Sequence, residues 1–244
     1  MSGHSKWSKV KHFKGALDQK RGRIFSKLSR EITIAAKTGG GDPDLNARLR
    51  MVLLKAKQAN MPADTIDRAV KKGVGGGQGT DFEDLVYEIY APFGVALLVE
   101  ISTDNKNRTA SEIRHILSKN GGTIATSGSV TRLFHRKGQM IISRENADED
   151  KTMEVALEAG AEDFKVEPEG YEIITDPSEF ETVHKAIEDA GIKCDSASVT
   201  CLPDVLVPAA PESVASISKI IELINDHDDV KEVYSNADFP ANPA

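Results

Sequence analysis

The chain has 244 residues, of which 39% are hydrophobic and 28% are charged, a composition typical of globular proteins with a substantial core. No apolar run approaches the roughly 20 residues that a membrane-spanning helix needs, and the first residues lack the apolar segment of a signal peptide. The sequence therefore argues against membrane insertion and secretion, and it favours a cytoplasmic protein.

Charge is distributed unevenly along the chain. Residues 1–80 contain 17 Lys or Arg and 6 Asp or Glu, a net charge of +11, whereas residues 81–244 carry −18. A concentrated positive field attracts polyanions even when a distant part of the same chain is acidic. The asymmetry therefore indicates nucleic acid as a partner of the N-terminal part.

The first segment of the chain interleaves cations with aromatic side chains. Cations neutralise phosphates, and aromatic rings offer faces on which bases stack. The alternative is a solvated basic tail that binds nothing. We predict that this arm binds nucleic acid through Lys6, Trp7, Lys9, Lys11, His12 and Lys14.

Residues 18–37 follow a helical period with two different faces. One face carries the apolar side chains Ile24, Phe25, Leu28, Ile32 and Ala35. The opposite face carries four cations that we call the basic stripe, and a contiguous stripe of this kind favours polyanion binding. We predict phosphate contacts by the basic stripe and the neighbouring Arg21; the stripe consists of Lys20, Arg23, Lys27 and Arg30.

Two shorter helices follow, over residues 45–59 and from Pro62 to just before Gly73. The segment GVGGGQG at residues 73–79 predicts a flexible hinge, because it lacks the Lys-Ser/Thr and the preceding strand of a phosphate loop. The turn between the first two helices is longer than the three or four residues of a helix-turn-helix, so specific base readout is not expected.

Beyond the hinge, strand periods alternate with helical ones. Residues 138–205 show the order strand, helix, strand, strand, helix, strand of a ferredoxin-like domain. Residues 81–137 supply part of another αβ domain, and its missing helix and strand reappear after residue 210. Strands are predicted at residues 129–135 and 139–143, on either side of the domain boundary.

We therefore predict an α+β protein whose third domain is inserted in the second. The domains are a basic three-helix domain with its arm and linker (1–80), an αβ domain (81–137 plus 206–244) and an inserted ferredoxin-like αβ domain (138–205).

No catalytic constellation has the spacing that its chemistry needs. The sequence has no Gly-x-Ser-x-Gly elbow, complete phosphate loop or His-Glu-x-x-His pair. Its six histidines are scattered, and Cys194 and Cys201 fit neither a zinc knuckle nor a redox pair. We predict no metal, no cofactor and no enzymatic activity; an enzyme with its site between the αβ domains is the minor alternative.

Several short motifs, in the same order, resemble the YebC/PmpR family over nearly the whole chain. They are GHSKW at 3–7, KRG at 20–22, REI at 30–32, GGGDPDLN at 39–46, NMP at 60–62 and TDNKNRT at 103–109. Lys9 stands where relatives usually carry Asn, which adds a cation to the arm.

The resemblance implies a cytosolic three-domain protein that binds DNA and regulates transcription. It also implies relatives in organelles that activate translation of cytochrome c oxidase, and bacterial members that act at the ribosome. We therefore expect a DNA-binding transcriptional regulator, with a translation factor that binds ribosomal RNA through the same basic face as the alternative. The acidic αβ domains would contact a ribosomal or other protein partner, and no membrane.

Overall fold

The computed structural model describes residues 17–75 and 82–240, with side chains from residue 21 onward. No helix within these residues is long and apolar enough to cross a membrane. The N-terminal part consists of three helices, α1 (Leu17–Gly39), α2 (Ala47–Gln58) and α3 (Ala63–Val74).

The three helices enclose one apolar cluster. Leu28, Ile32, Leu49, Val52 and Ala69 are buried in it, and removal of such side chains from water is the main stabilising contribution to a small domain. Leu28 and Ile32 belong to the apolar face predicted for the first helix, and that prediction is confirmed.

Asn46 fixes the connection between α1 and α2. Its buried side-chain Oδ1 accepts a hydrogen bond from the Leu49 N–H at 3.0 Å, which caps the start of α2. The Nδ2 group donates to the backbone oxygens of Ala35 at 2.9 Å and Gly40 at 2.8 Å, at the end of α1. The motif that ends in this residue therefore sets the angle between the two helices.

Gly73 lies inside α3, so the prediction that it ends the helix and starts a linker is wrong. A Cβ at Gly73 would lie 2.5 Å from the Thr33 backbone oxygen and 2.7 Å from the Ala36 Cβ. The glycine is required because α1 and α3 approach so closely there. The rest of the predicted hinge, at residues 76–79, lies outside the described residues.

The remaining described chain contains two four-stranded antiparallel sheets. Its helices are α4 (Lys106–Lys119), α5 (Glu149–Glu158), α6 (Phe180–Asp189) and α7 (Pro211–Asn225). Its strands are β1 (Glu83–Tyr90), β2 (Ala96–Thr103), β3 (Thr123–Ile124), β4 (Phe134–Ser143), β5 (Asp163–Glu167), β6 (Gly170–Thr175), β7 (Ser196–Pro203), β8 (Val207–Pro208), β9 (Val230–Ser235) and β10 (Ala237–Asp238).

The first sheet has the order β3-β1-β2-β9. Helices α4 and α7 cover one of its faces, where Ile113, Leu117 and Ile220 pack against buried residues of β1 and β2. Since β9 follows the whole second sheet in the chain, the first sheet is assembled from two separate segments.

The second sheet has the order β5-β6-β4-β7, with antiparallel neighbours throughout. Together with α5 and α6, this order is that of a ferredoxin-like domain. The predicted α+β class, with three N-terminal helices followed by αβ units, is confirmed. The division into three domains at residues 80, 137 and 205 stays a prediction.

Residues 139–143 form a strand as predicted, but the break predicted between the strands at 129–135 and 139–143 is wrong, because β4 is one continuous strand from Phe134 to Ser143. Thr131–Leu133 form a short 3-10 turn before it. A Cβ at Gly138 would lie 2.1 Å from Thr175 Oγ1, so the glycine allows β4 to pass close to β6 without interruption.

Helix α2 packs against the second sheet. Met51 and Leu54 contact its apolar cluster, Gln58 Nε2 donates to the Ala197 backbone oxygen at 2.8 Å, and Arg50 forms a 2.7 Å ion pair with Glu181. The helical part is therefore held against the αβ part by an apolar contact with polar bonds around it.

Candidate nucleic-acid interface

The cations of the basic stripe lie on the face of α1 that points away from the three-helix core. Arg23, Lys27 and Arg30 are spaced four and three residues apart, which places them in one row along the helix. The row faces a short turn between α7 and β9, which we call the acidic turn and which consists of Asp226, His227, Asp228 and Asp229.

Each of the three cations binds at or beside the acidic turn. Arg23 Nη1 lies 2.8 Å from Asp226 Oδ2, and Arg30 Nη1 lies 3.0 Å from both Asp229 Oδ1 and the Asp228 backbone oxygen. Lys27 Nζ donates to the backbone oxygen of Asn225, the last residue of α7. The structure therefore shows these predicted phosphate ligands bound to anionic or carbonyl oxygens of the same chain.

The three cations differ in their exposure to solvent. The Arg23 side chain is 63% exposed, whereas that of Arg30 is 34% exposed. Burial lowers the pKa of Lys27, although the nearby carboxylates, Asp226 and Asp228 among them, oppose the shift. Arg23 is thus open to an external partner, while Lys27 and Arg30 are partly withdrawn from water.

Asp229 is the buried centre of the acidic turn, with a side chain only 4% exposed. Its Oδ2 accepts hydrogen bonds from Thr109 at 2.7 Å, Arg108 at 2.8 Å and Thr103 at 3.1 Å. Burial alone would raise the pKa of Asp229, but the bonds from Thr109, Arg108 and Arg30 outweigh it and lower the pKa to about 2. The motif at residues 103–109 therefore holds this carboxylate in its ionised form.

A cleft of about 890 Å³ opens beside these ion pairs, between α1, α4 and the acidic turn. Its lining mixes cations such as Arg23 and Arg108 with carboxylates such as Asp226 and Glu112. Because opposite charges already neutralise one another there, the cleft lacks the uniform positive field that attracts a polyanion.

The other predicted ligands lie elsewhere on α1 or in parts of the chain that the structure does not describe. Arg21 is exposed on α1. Lys20 belongs to α1, but its side chain is not described. The arm residues lie outside the described residues; they are Lys6, Trp7, Lys9, Lys11, His12 and Lys14.

A second cationic surface on α3 was not predicted. Lys71 and Lys72 in the last turn of this helix and Arg68 in its middle are exposed, and none forms an ion pair with a residue that the structure describes. Lysines in a last turn also stabilise a helix through its dipole, so the sequence pattern alone did not mark them as ligands. Their exposure is the observation that adds them to the candidate interface.

No group of three or more His, Cys, Asp and Glu side chains within the described residues is arranged to hold a metal ion. Burial raises the pKa of Cys194 to about 12 and that of Cys201 to about 11, so both thiols stay protonated near neutral pH.

Comparison with known proteins identifies the family. Residues 5–76 match the TACO1/YebC protein N-terminal domain, and residues 82–237 match the TACO1/YebC second and third domain. The chain is 52% identical, over 98% of its length and 97% of the relative's, to a "probable transcriptional regulatory protein" of Desulforapulum autotrophicum. It is 48% identical to one of Clostridium novyi, with 98% of each chain covered.

The fold also matches a solved structure. A conserved hypothetical protein of Aquifex aeolicus superposes with a TM-score of 0.80 at 41% identity, covering 92% of this chain and 93% of that one. The matched family is non-enzymatic, so the prediction that the chain is not an enzyme is confirmed. On these matches, which together span nearly the whole sequence, the chain belongs to the TACO1/YebC family.

Proposed function

We propose that the chain is a cytoplasmic nucleic-acid-binding regulator that contacts the phosphate backbone through its N-terminal helices and arm. The observation that carries the proposal is the concentration of positive charge there, a net of +11 against −18 in the rest of the chain. The exposed cations Arg23, Arg68, Lys71 and Lys72 present part of this charge to solvent. DNA is the first target, since relatives at about half identity bear the name of transcriptional regulators.

The packing of α2 favours recognition of backbone and shape over recognition of bases. In a helix-turn-helix protein the second helix has an exposed face that enters the major groove. Here Leu49 and Val52 pack toward α1, while Met51 and Leu54 pack toward the second sheet. With two sides of α2 covered, little of it remains to read base edges.

The same features support the alternative, a translation factor that binds ribosomal RNA. Double-stranded RNA is recognised mainly by its shape and phosphates, and a basic surface without a reading helix suits that mode. In this alternative the acidic αβ domains would contact a ribosomal protein. The two targets predict different binding preferences, so one experiment separates them.

The experiment is competition binding at fixed, physiological salt between a candidate promoter duplex, a scrambled duplex and an RNA duplex of the same length. We expect less than about tenfold preference for the promoter over the scrambled duplex, because backbone contacts carry no sequence information. A preference of about a thousandfold, the range of specific regulators, would establish sequence-specific transcriptional control and exclude the translation alternative.

A matched pair of variants tests whether the helical part is the binding surface. Replacing the α3 cations by Gln should weaken binding, whereas replacing exposed lysines of the αβ part by Gln should not. The αβ lysines suited to this control are Lys119, Lys185 and Lys193. Equal losses in both variants would remove the proposal that the N-terminal helices are the interface.

A further inference from the structure

We propose that the acidic turn is an internal competitor of nucleic acid. In the structure the acidic turn binds Arg23 and Arg30, the adjoining Asn225 binds Lys27, and a bound phosphate backbone would displace both from these cations. The inference rests on the proposed function, because it assumes that these cations contact phosphates.

The acidic turn offers the same chemistry as a phosphate backbone. The acceptors for the stripe are the carboxylates of Asp226 and Asp229, the backbone oxygen of Asp228 and that of the adjoining Asn225. The backbone oxygen of Asn225 lies at the C-terminal end of α7, where the helix dipole adds negative potential. Three cations in a row thus meet carboxylate and carbonyl oxygens where a nucleic acid strand would offer phosphate oxygens.

Bonds within the αβ part hold the acidic turn in shape, in addition to those that Arg30 of α1 makes. Asp229 is bound by Thr109, Arg108 and Thr103, and the Asp229 N–H donates to His227 Nδ1 at 3.1 Å. His227 Nε2 in turn lies 2.8 Å from Glu112 Oε2. The turn therefore stays organised when the stripe leaves it, and can rebind the stripe when nucleic acid dissociates.

The bonds between stripe and turn are of a kind that another anion can replace. Arg23 and Asp226 form an exposed ion pair, and pairs of this type contribute at most about 1 kcal/mol. Burial lowers the pKa of Lys27, so the cost of removing its ammonium group from water offsets part of its attraction to the nearby carboxylates. The apolar contact of α2, by contrast, involves Met51 and Leu54 and none of the stripe residues.

The competition makes a quantitative prediction by linkage. If the turn closes over the stripe in most molecules, the measured dissociation constant is raised by the reciprocal of the open fraction. Weakening the turn raises that fraction and tightens binding, and binding of nucleic acid must open the turn to the same degree. Affinity and opening are therefore two readouts of one equilibrium.

The test compares two doubly neutralised full-length variants. Asp226→Asn with Asp228→Asn weakens the acidic turn while leaving Asp229 in place. Glu154→Gln with Glu158→Gln removes the same charge from exposed positions on α5 and is the control for overall charge. Binding to a short DNA duplex and to an RNA duplex of equal length is measured over a range of salt concentrations, beside the ¹³C carboxyl NMR signals of Asp226 and Asp229 with and without each probe.

We expect the turn variant to bind about threefold to tenfold more tightly than wild type at low salt, with a smaller gain at high salt. The control should bind within about twofold of wild type. Nucleic acid should also shift the carboxyl signals of Asp226 and Asp229 in the wild-type chain, because these carboxylates lose their arginine partners. An equal gain in both variants, or binding to wild type without a shift of these signals, would show simple repulsion and overturn the competition.

Failure of the proposed function has a different signature. If neither probe binds wild type or either variant, the nucleic-acid interface itself is refuted and the competition with it. If both probes bind wild type and the turn variant equally well, only the competition is refuted.

Discussion

Two cationic surfaces lie on the same three-helix unit and differ in what faces them. Arg23, Lys27 and Arg30 of α1 are bound by the acidic turn or by Asn225 beside it, whereas Lys71 and Lys72 of α3 form no ion pair with any described residue. In the sequence both sets are basic side chains on an amphipathic helix. The comparison teaches that such a pattern identifies an anionic partner but does not say whether that partner is another molecule or the same chain.

The two surfaces are therefore expected to have different energetic roles. The α1 surface contributes to the packing of the helical part on the αβ part and to binding, so its variants should alter both. The α3 surface should affect binding alone.

The largest effect on stability is expected where α1 and α3 meet. Gly73→Ala should lower the free energy of unfolding by about 3 kcal/mol, because the new Cβ would overlap the backbone of α1 at Thr33. The measurement is urea unfolding followed by circular dichroism.

Gly22 provides the matched control for this substitution. It also lies in a helix, but a Cβ there would meet no atom within 4 Å. Gly22→Ala should therefore stabilise the chain, by up to about 1 kcal/mol, through helix propensity. Equal stability of the two variants would show that α1 and α3 do not approach as closely as described.

The next largest effect on stability is expected at Asp229, the buried carboxylate that Arg30 of the basic stripe contacts. Asp229→Ala should cost about 2 kcal/mol, because it leaves the Thr109 hydroxyl and the guanidinium groups of Arg108 and Arg30 without their shared acceptor. Asp228→Ala, at the exposed neighbouring position, should change the free energy of unfolding by less than about 0.5 kcal/mol. Similar losses of unfolding free energy in the two variants would show that Asp229 is not the shared acceptor of these groups.

The same carboxylate should give a specific dependence of stability on pH. The folded pKa of Asp229, about 2, lies below the value of about 3.9 for an unfolded aspartate. Its contribution is therefore complete above about pH 4 and is lost as the pH falls toward 2. Asp229→Asn should flatten the stability curve in this window, measured by thermal unfolding at successive pH values. A wild-type slope in the variant would assign the acid sensitivity to other carboxylates.

The sequence predicted the local structure well because local structure depends on nearby residues. The apolar face of α1, with Leu28 and Ile32, follows from helical period alone, and the ferredoxin-like order follows from the succession of strands and helices. Gly73 was misread as the end of a helix, and the segment that contains Gly138 was predicted to separate two strands. A glycine that ends a helix or strand and one that permits close packing look identical until the neighbouring element is known.

The pairing of the basic stripe with the acidic turn could not be predicted from the sequence, for a related reason. Arg23 and Asp226 are 203 positions apart, and the contact depends on how α1 docks beside α7. The acidic run at residues 226–229 was visible, but acidic residues are frequent in the αβ part and nothing local distinguishes these. The arm residues, from Lys6 to Lys14, remain predicted ligands only.

The smallest effect on stability is expected on α3, and it separates the two surfaces. Replacing Arg68, Lys71 and Lys72 by Gln should change the free energy of unfolding by less than about 0.5 kcal/mol, since no described ion pair is lost. The equivalent triple Gln variant of Arg23, Lys27 and Arg30 should lose about 1 to 2 kcal/mol of unfolding free energy, because it abolishes the bonds to the acidic turn and Asn225.

Both variants should lower the salt slope of DNA binding by about 0.9 for each phosphate contact removed. Urea unfolding and salt titration on the same samples measure the two quantities. If the α3 variant loses as much stability as the α1 variant, the two surfaces are not distinct; if its salt slope is unchanged, α3 lies outside the interface and the α1 surface and arm carry the binding.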